Sequence, residues 1–185
     1  MNSWRADPVI VVPYDPEWPN LFQAFAHTIR IALGEAALRI DHIGSTSVTG
    51  LAAKPVIDIQ ISVASLEPMS RYLDPLTDLG YVWVANNPDI TKRYFREPPG
   101  QVRTHIHVRK AGSFSEQLSL LFRDYLRVHP QTAQEYAQLK YKLARKFRND
   151  REKYTDSKSP FIWNTIRRAS EWSQVTGWEP GPSDA

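Results

Sequence analysis

The sequence predicts an α+β fold, in looser terms α/β: a mixed, mainly antiparallel sheet of about four or five strands, with helices packed on its apolar face and a helical C-terminal half. Three observations predict it. Ile57, Ile59, Ile61 and Val63 alternate with Val56, Asp58, Gln60 and Ser62, which makes this stretch a strand with one apolar and one polar face. Thr104, Ile106 and Val108 alternate in the same way with Arg103, His105, His107 and Arg109. From Ser113 onward the apolar residues recur at helical spacing instead.

Taken in order, Val9 to Val12 reads as an edge strand leading into the turn Pro13-Tyr14-Asp15-Pro16. Asp15 then suits a helix N-cap, Pro16 the first helical position, and Glu17 the positive helix end. Leu21, Phe22, Phe25, Ile29, Ala32, Leu33 and Ala36 follow at helical spacing, for about five turns. Trp18 is expected to anchor this helix to the core. An apolar segment from Arg39 enters a small-residue turn at Gly44-Ser45, and Lys54-Pro55 leads into the Asp58 strand. Glu67 to Leu79 is expected to be a helix ended by Gly80, and Tyr81 to Ala85 a strand. Lys92 to Glu97 and Val102 to Arg109 should pair antiparallel across Pro98-Pro99-Gly100. Ser113-Phe114-Ser115-Glu116 is a capping-box pattern opening a helix that carries Leu118, Leu121, Phe122, Tyr125 and Leu126. Another helix follows Pro130, and the last begins near Ser159-Pro160. Residues 1–176 are expected to form one domain, and 177–185 a flexible tail.

Composition narrows the chemistry. With 185 residues and no cysteine, the chain can bury a core without staples, and it can offer neither a disulfide framework nor a thiol nucleophile. Any metal must be held by Asp, Glu or His. No apolar run approaches membrane-spanning length, so no membrane association and a cytoplasmic location are expected. The net charge is +3, but Lys92, Arg93, Arg96, Arg103, Arg109 and Lys110 cluster mid-chain, and Lys140 to Arg151 is basic again. Such patches favour anions, a nucleotide or a nucleic acid backbone, or else form a merely solvated face.

The turn Gly44-Ser45-Thr46 offers backbone N–H groups and hydroxyls close together, an arrangement that cradles phosphate as well as one that merely links strand to helix. Asp58, a carboxylate on a strand flanked by isoleucines, must be paired, hydrated or bound to a cation. The choice lies between a metal and a salt bridge with a mid-chain arginine. His105 and His107 share one strand face and can supply two neutral imidazole ligands, or serve as ordinary hydrogen-bonded histidines. His42 precedes the turn and either orients it or faces the same cleft.

The runs HIGSTSVTGLAAKPVIDIQISV, RTHIHV, LFRDYLRVHP, EYAQLKYKLARKF and DREKYTDSK resemble the GrpB family, over roughly Tyr14 to Trp172. The resemblance implies a nucleotidyltransferase-like fold, in a family sometimes joined to a dephospho-CoA kinase domain. In the wider superfamily an apolar residue, Gly, and Gly or Ser precede an Asp-x-Asp or Asp-x-Glu strand. Ile43, Gly44, Ser45, Asp58 and Gln60 match those positions, and Gln60 departs from the pattern by replacing the second acid. The resemblance further implies phosphate-binding roles for Gly44, Ser45, Thr46, Lys54, Arg123, Lys140 and Lys158, and catalytic roles for Asp58 and Ser45. Asp58, His105 and His107 are the expected metal ligands, with His42, Gln60, Arg93, Arg103 and Asp124 as further cleft candidates. The implied cofactor is a divalent metal, Mg²⁺ or Mn²⁺, with the imidazoles tilting the choice toward Mn²⁺ or Zn²⁺. A nucleoside triphosphate is the implied substrate, with an acceptor of unassigned identity. A non-catalytic nucleotide-binding module and an RNA- or protein-binding domain remain the alternatives to a nucleotidyltransferase, and no oligomeric state is assigned.

Overall fold

A computed structural model describes residues 8–185. Helix α1 (Trp18–Leu33) precedes strand β1 (Arg39–Ile43), a short 3-10 turn at Ser45–Ser47 and strand β2 (Ile57–Val63). Helix α2 (Ser70–Asp78), strands β3 (Val82–Trp83), β4 (Lys92–Arg96) and β5 (Thr104–Lys110), and helices α3 (Phe114–Val128), α4 (Pro130–Lys146), α5 (Arg151–Asp156) and α6 (Ser159–Thr176) complete the order. The strands form one sheet in the order β1-β2-β5-β4-β3, and only β2 and β5 run parallel. This is the mixed, mainly antiparallel sheet that the alternation predicts.

The core lies on the isoleucine face. Trp18, Phe22, Ala26, Ile29 and Leu33 of α1 and Tyr72 and Leu76 of α2 bury against Ile40, Ile57, Ile59, Ile61, Phe95, Ile106 and Val108. Each buried aliphatic side chain contributes roughly 1.5–3 kcal/mol of transfer free energy, so this layer fixes the β2 and β5 register and hence which side chains face the other way. In that register Asp58 lies opposite His105, and Gln60 opposite His107.

The polar face is itself divided. Helix α3 crosses its Ser62 end, where Glu116, 1% exposed, accepts from the Ser62 hydroxyl at 2.7 Å and from the Gly112 N–H at 3.1 Å. The expected capping box therefore does not form: Ser113 is the N-cap without a side-chain bond, and Glu116 braces the sheet instead. Several other local expectations also shift. Val9 to Val12 is no edge strand. Val12 makes a single bridge to Ala53, and Val9 packs with Leu143, Ala144 and Tyr154 of the helical half. Asp15 accepts from the Glu17 N–H within the preceding turn, and α1 begins later, at Trp18. The strand after Gly80 shrinks to Val82–Trp83, and α5, a short helix capped by Asp150 accepting from the Lys153 N–H, falls in a stretch without apolar periodicity.

The last residues, expected to form a flexible tail, lie instead along the free edge of β1. The Ile40 N–H donates to the Ser183 hydroxyl and the His42 N–H to the Asp184 carboxylate, both at 2.9 Å, while the Ala185 N–H donates to the Ile40 carbonyl at 3.2 Å. An edge strand carries unpaired main-chain groups, and this segment satisfies them.

Candidate active site

Asp58 sits where β2 leaves the cover of α3. Its Oδ1 lies 3.1 Å from His105 Nδ1 and 3.4 Å from His107 Nε2, and one ligand atom from each residue falls within 4.8 Å of the others. Burial works against the Asp58 charge, but the hydrogen bonds from the two imidazoles outweigh it and hold the carboxyl well below the usual carboxylate range. Burial pushes the His107 ring down to about 4 despite the attraction of Asp58, so it is neutral and able to donate a lone pair at neutral pH. The Tyr94 ring packs against both imidazoles, with centroids at 5.5 and 5.3 Å, and fixes their orientation by contact. One carboxylate oxygen and two imidazole nitrogens on adjacent strands could hold a divalent cation.

Gly44 closes the site from below. Its φ of +73° favours glycine, and a Cβ there would stand 2.5 Å from Asp58 Oδ2. The turn beyond it is braced internally: the Thr46 hydroxyl donates to the Val56 carbonyl at 3.0 Å, and the Ser47 hydroxyl donates to the Gly44 carbonyl at 2.6 Å. The half-buried Ser45 side chain faces the Tyr136 phenol of α4.

On the α4 side of this turn three lysines converge. Lys140, 2% exposed, carries its ammonium 4.5 Å from the Tyr136 ring centroid, with no hydrogen-bond partner. Lys54 and Lys158 stand over the Tyr154 ring at 5.4 and 4.8 Å. Burial and the charges of Lys158 and Lys54 push the Lys140 amine down to about 6. Burial, Lys158 and Arg151 push that of Lys54 down to about 8. Burial also lowers Lys158, against the pull of Asp58. Such a cluster disfavours its own charge and favours an anion.

Asp58, His105, His107, Gly44, Ser45, Lys54, Lys140 and Lys158 are thus brought together, with Arg103 within electrostatic reach of Lys54, whereas the other candidates are not. Gln60 shares the Asp58 face but is fully buried beneath α3, donating to the Glu116 carbonyl and accepting from Arg109 at 2.7 Å. His42 points to the opposite face, where it stacks on Phe22, contacts Thr46 at 3.0 Å and lines a separate cavity of about 430 Å³. It orients the turn from behind. Thr46, 1% exposed, is spent on holding that turn. Arg123 is buried among Asp41, Asp124, Asp184 and the His42 carbonyl, and Asp124 accepts from it and from Trp178. Both brace β1. Arg93 pairs with Glu67 on the core side of β4, and Arg103 reaches Glu97 at 3.5 Å on the rim. Tyr94, Tyr136 and Tyr154 were not anticipated. For Tyr94 the alternation of Lys92 to Glu97 carried the signal, since it places Tyr94 on the His107 face.

Among the described residues no helix is long and apolar enough to cross a membrane. The model of the GrpB protein family matches residues 8–168. The UPF0157 protein PA4798 of Pseudomonas aeruginosa is 42% identical over 166 residues, covering 88% of this chain and 68% of that one. A dephospho-CoA kinase of Mycolicibacterium paratuberculosis is 34% identical over 94% of this chain, which spans only 49% of the kinase. The crystal structure of the conserved protein GrpB from Enterococcus faecalis superposes with a TM-score of 0.80 at 34% identity, over 88% of this chain and 99% of that one. A more distant likeness, to the Cid1 poly(U) polymerase with MgGTP bound, has a TM-score of 0.52 at 15% identity, over 73% and 44% of the two chains. That likeness identifies the fold as nucleotidyltransferase-like. With the family match spanning most of its length and a GrpB structure superposing over 88% of it, the chain belongs to the GrpB family.

Proposed function

We propose that the protein transfers a nucleotidyl group from a nucleoside triphosphate to an acceptor hydroxyl or phosphate, with a divalent metal as cofactor. One observation carries this reading: the Asp58, His105 and His107 donors meet beside Gly44, Lys54 and Lys158 lie within the electrostatic reach of Asp58, and Lys140 lies over Tyr136, whose phenol meets Ser45. The donor set supports a cation, because Asp58 stays ionised, His107 stays neutral and Gly44 leaves room beside the carboxylate. Two imidazoles favour Mn²⁺ or Zn²⁺ over Mg²⁺. When bound, such a cation polarises the α-phosphoryl group and screens its charge from the incoming oxygen. The residues do the rest. The lysines and the Ser45 turn hold the β and γ phosphates, a bond forms from the acceptor oxygen to the α-phosphorus, and the bond to the departing pyrophosphate breaks. The acceptor proton passes to water, and the lysines stabilise the charge that develops on pyrophosphate.

A non-catalytic nucleotide-binding module is the second reading, and Gln60 favours it. The position of the second acid is filled by an amide tied to Arg109, so one carboxylate serves where two are usual. Thermal shift with each nucleoside triphosphate and Mn²⁺, followed by pyrophosphate release in the presence of RNA 3′ ends or small acceptors, tests both. A ligand at 100-fold its Kd should add about 2.7 kcal/mol of stability. Stabilisation with pyrophosphate release abolished by Asp58→Asn supports the enzyme, and stabilisation without release supports the module. No stabilisation by any triphosphate rejects both.

A further inference from the structure

Lys54, Lys140 and Lys158 have no ion-pair partner within 4 Å among the described residues, although each is at least half-buried. The groups around Lys140 come from every neighbouring element: Tyr136 on its own helix, Lys54 from the loop before β2, and Lys158 at the start of α6. Tyr154 of α5 lies beneath Lys54 and Lys158. Among the described residues, Asp58 is the acid that pulls on both Lys54 and Lys158, and its charge is already shared with two imidazoles. Three buried or half-buried amines facing two aromatic rings disfavour one another's charge, and an anion relieves that penalty. A tyrosine face attracts a cation but leaves its hydrogen-bond donors unused.

We infer that the lysine cluster is a polyphosphate seat charged by its ligand: Lys140 is neutral when the seat is empty and takes up a proton when the terminal phosphates of a nucleoside triphosphate bind. This rests on the nucleotide reading above, in which the lysines hold the terminal phosphates, and adds to it a coupling to pH. Lys140 is the member suited to the role, being the most buried and lacking any hydrogen bond, and its amine lies near 6 before binding. A phosphate oxygen supplies both the missing acceptor and the counter-charge. A monophosphate can neutralise fewer of the three lysines and should bind more weakly than a triphosphate.

Calorimetry with inorganic tripolyphosphate, in buffers of different ionisation enthalpy at pH 7, reads the proton count directly. The expected result is uptake of about one more proton per ligand by wild type than by Lys140→Arg, because a guanidinium is charged before binding. Wild-type affinity should accordingly fall by up to about tenfold per pH unit above pH 6 relative to Lys140→Arg. Equal proton uptake by the two proteins, with binding retained, overturns the inference and leaves the nucleotide reading standing. Failure of the wild type to bind tripolyphosphate overturns both. Lysine-selective ¹³Cε NMR of the wild type gives the same answer without a variant. Lys140 should titrate near pH 6 when free and several units higher with tripolyphosphate, and titration near the ordinary lysine value of about 10.4 in the free protein contradicts the inference.

Discussion

Gly44 and Asp58 constrain each other by close approach. Gly44→Ala would place a methyl group 2.5 Å from the Asp58 carboxylate at a φ of +73°, so the strained turn must move or the carboxylate must leave its imidazoles. The expected cost is about 1–3 kcal/mol in chemical denaturation, with at least tenfold weaker Mn²⁺ binding by calorimetry. Unchanged metal affinity would place the cation elsewhere. Lys140 makes the opposite prediction, since a group spent on ligand binding weakens the empty protein. Its folded value of about 6 lies below the ordinary 10.5, so the unfolded chain binds more protons between those limits. Stability should therefore rise with pH across that window and level off below pH 6. Lys140→Met should flatten the rise and stabilise the protein at pH 7 by about 1–3 kcal/mol. A destabilised Lys140→Met protein would argue against a ligand-dependent cluster.

Between elements, the division of the polar sheet face decides what the residues can do. Alternation along β2 made the pairing of Asp58 and Gln60 on one face legible, because strand periodicity is a local property. That α3 covers Gln60 and leaves Asp58 open was not legible, since it depends on Glu116 reaching across the sheet to Ser62, a contact 54 residues distant in sequence. The same limit hid the fate of Arg123. Its helical position was readable, yet its direction depends on β1 and on Asp184, 61 residues away. The C-terminal segment looked unstructured because it lacks apolar periodicity and is rich in Gly and Pro, but its Ser183 and Asp184 side chains complete the β1 edge. Asp184→Ala should cost about 1–3 kcal/mol by leaving the His42 N–H and the Arg123 guanidinium short of a partner. Hydrogen exchange should show faster exchange at Ile40 and His42, with β5 amides unchanged. Equal protection in both strands would mean that the edge is held by other contacts.

At the scale of the molecule, the sheet and its two-sided character were readable from two alternating strands, and the GrpB resemblance supplied the connection between the glycine turn and Asp58. The lysine cluster was only half readable. Lys54, Lys140 and Lys158 lie in three separate segments, and nothing local shows that Tyr136 and Tyr154 bring their ammonium groups together. The fold thus brings a carboxylate–imidazole cluster and a lysine cluster near one turn, and the proposed chemistry needs both at once. Crystals grown with Mn²⁺ and a non-hydrolysable nucleoside triphosphate test this most directly, through the anomalous signal of manganese. The account predicts a manganese peak about 2.0–2.2 Å from Asp58 Oδ1, His105 Nδ1 and His107 Nε2, with terminal phosphate oxygens bonded to Lys140. Manganese bound away from Asp58, or a triphosphate seated away from the three lysines, would contradict it.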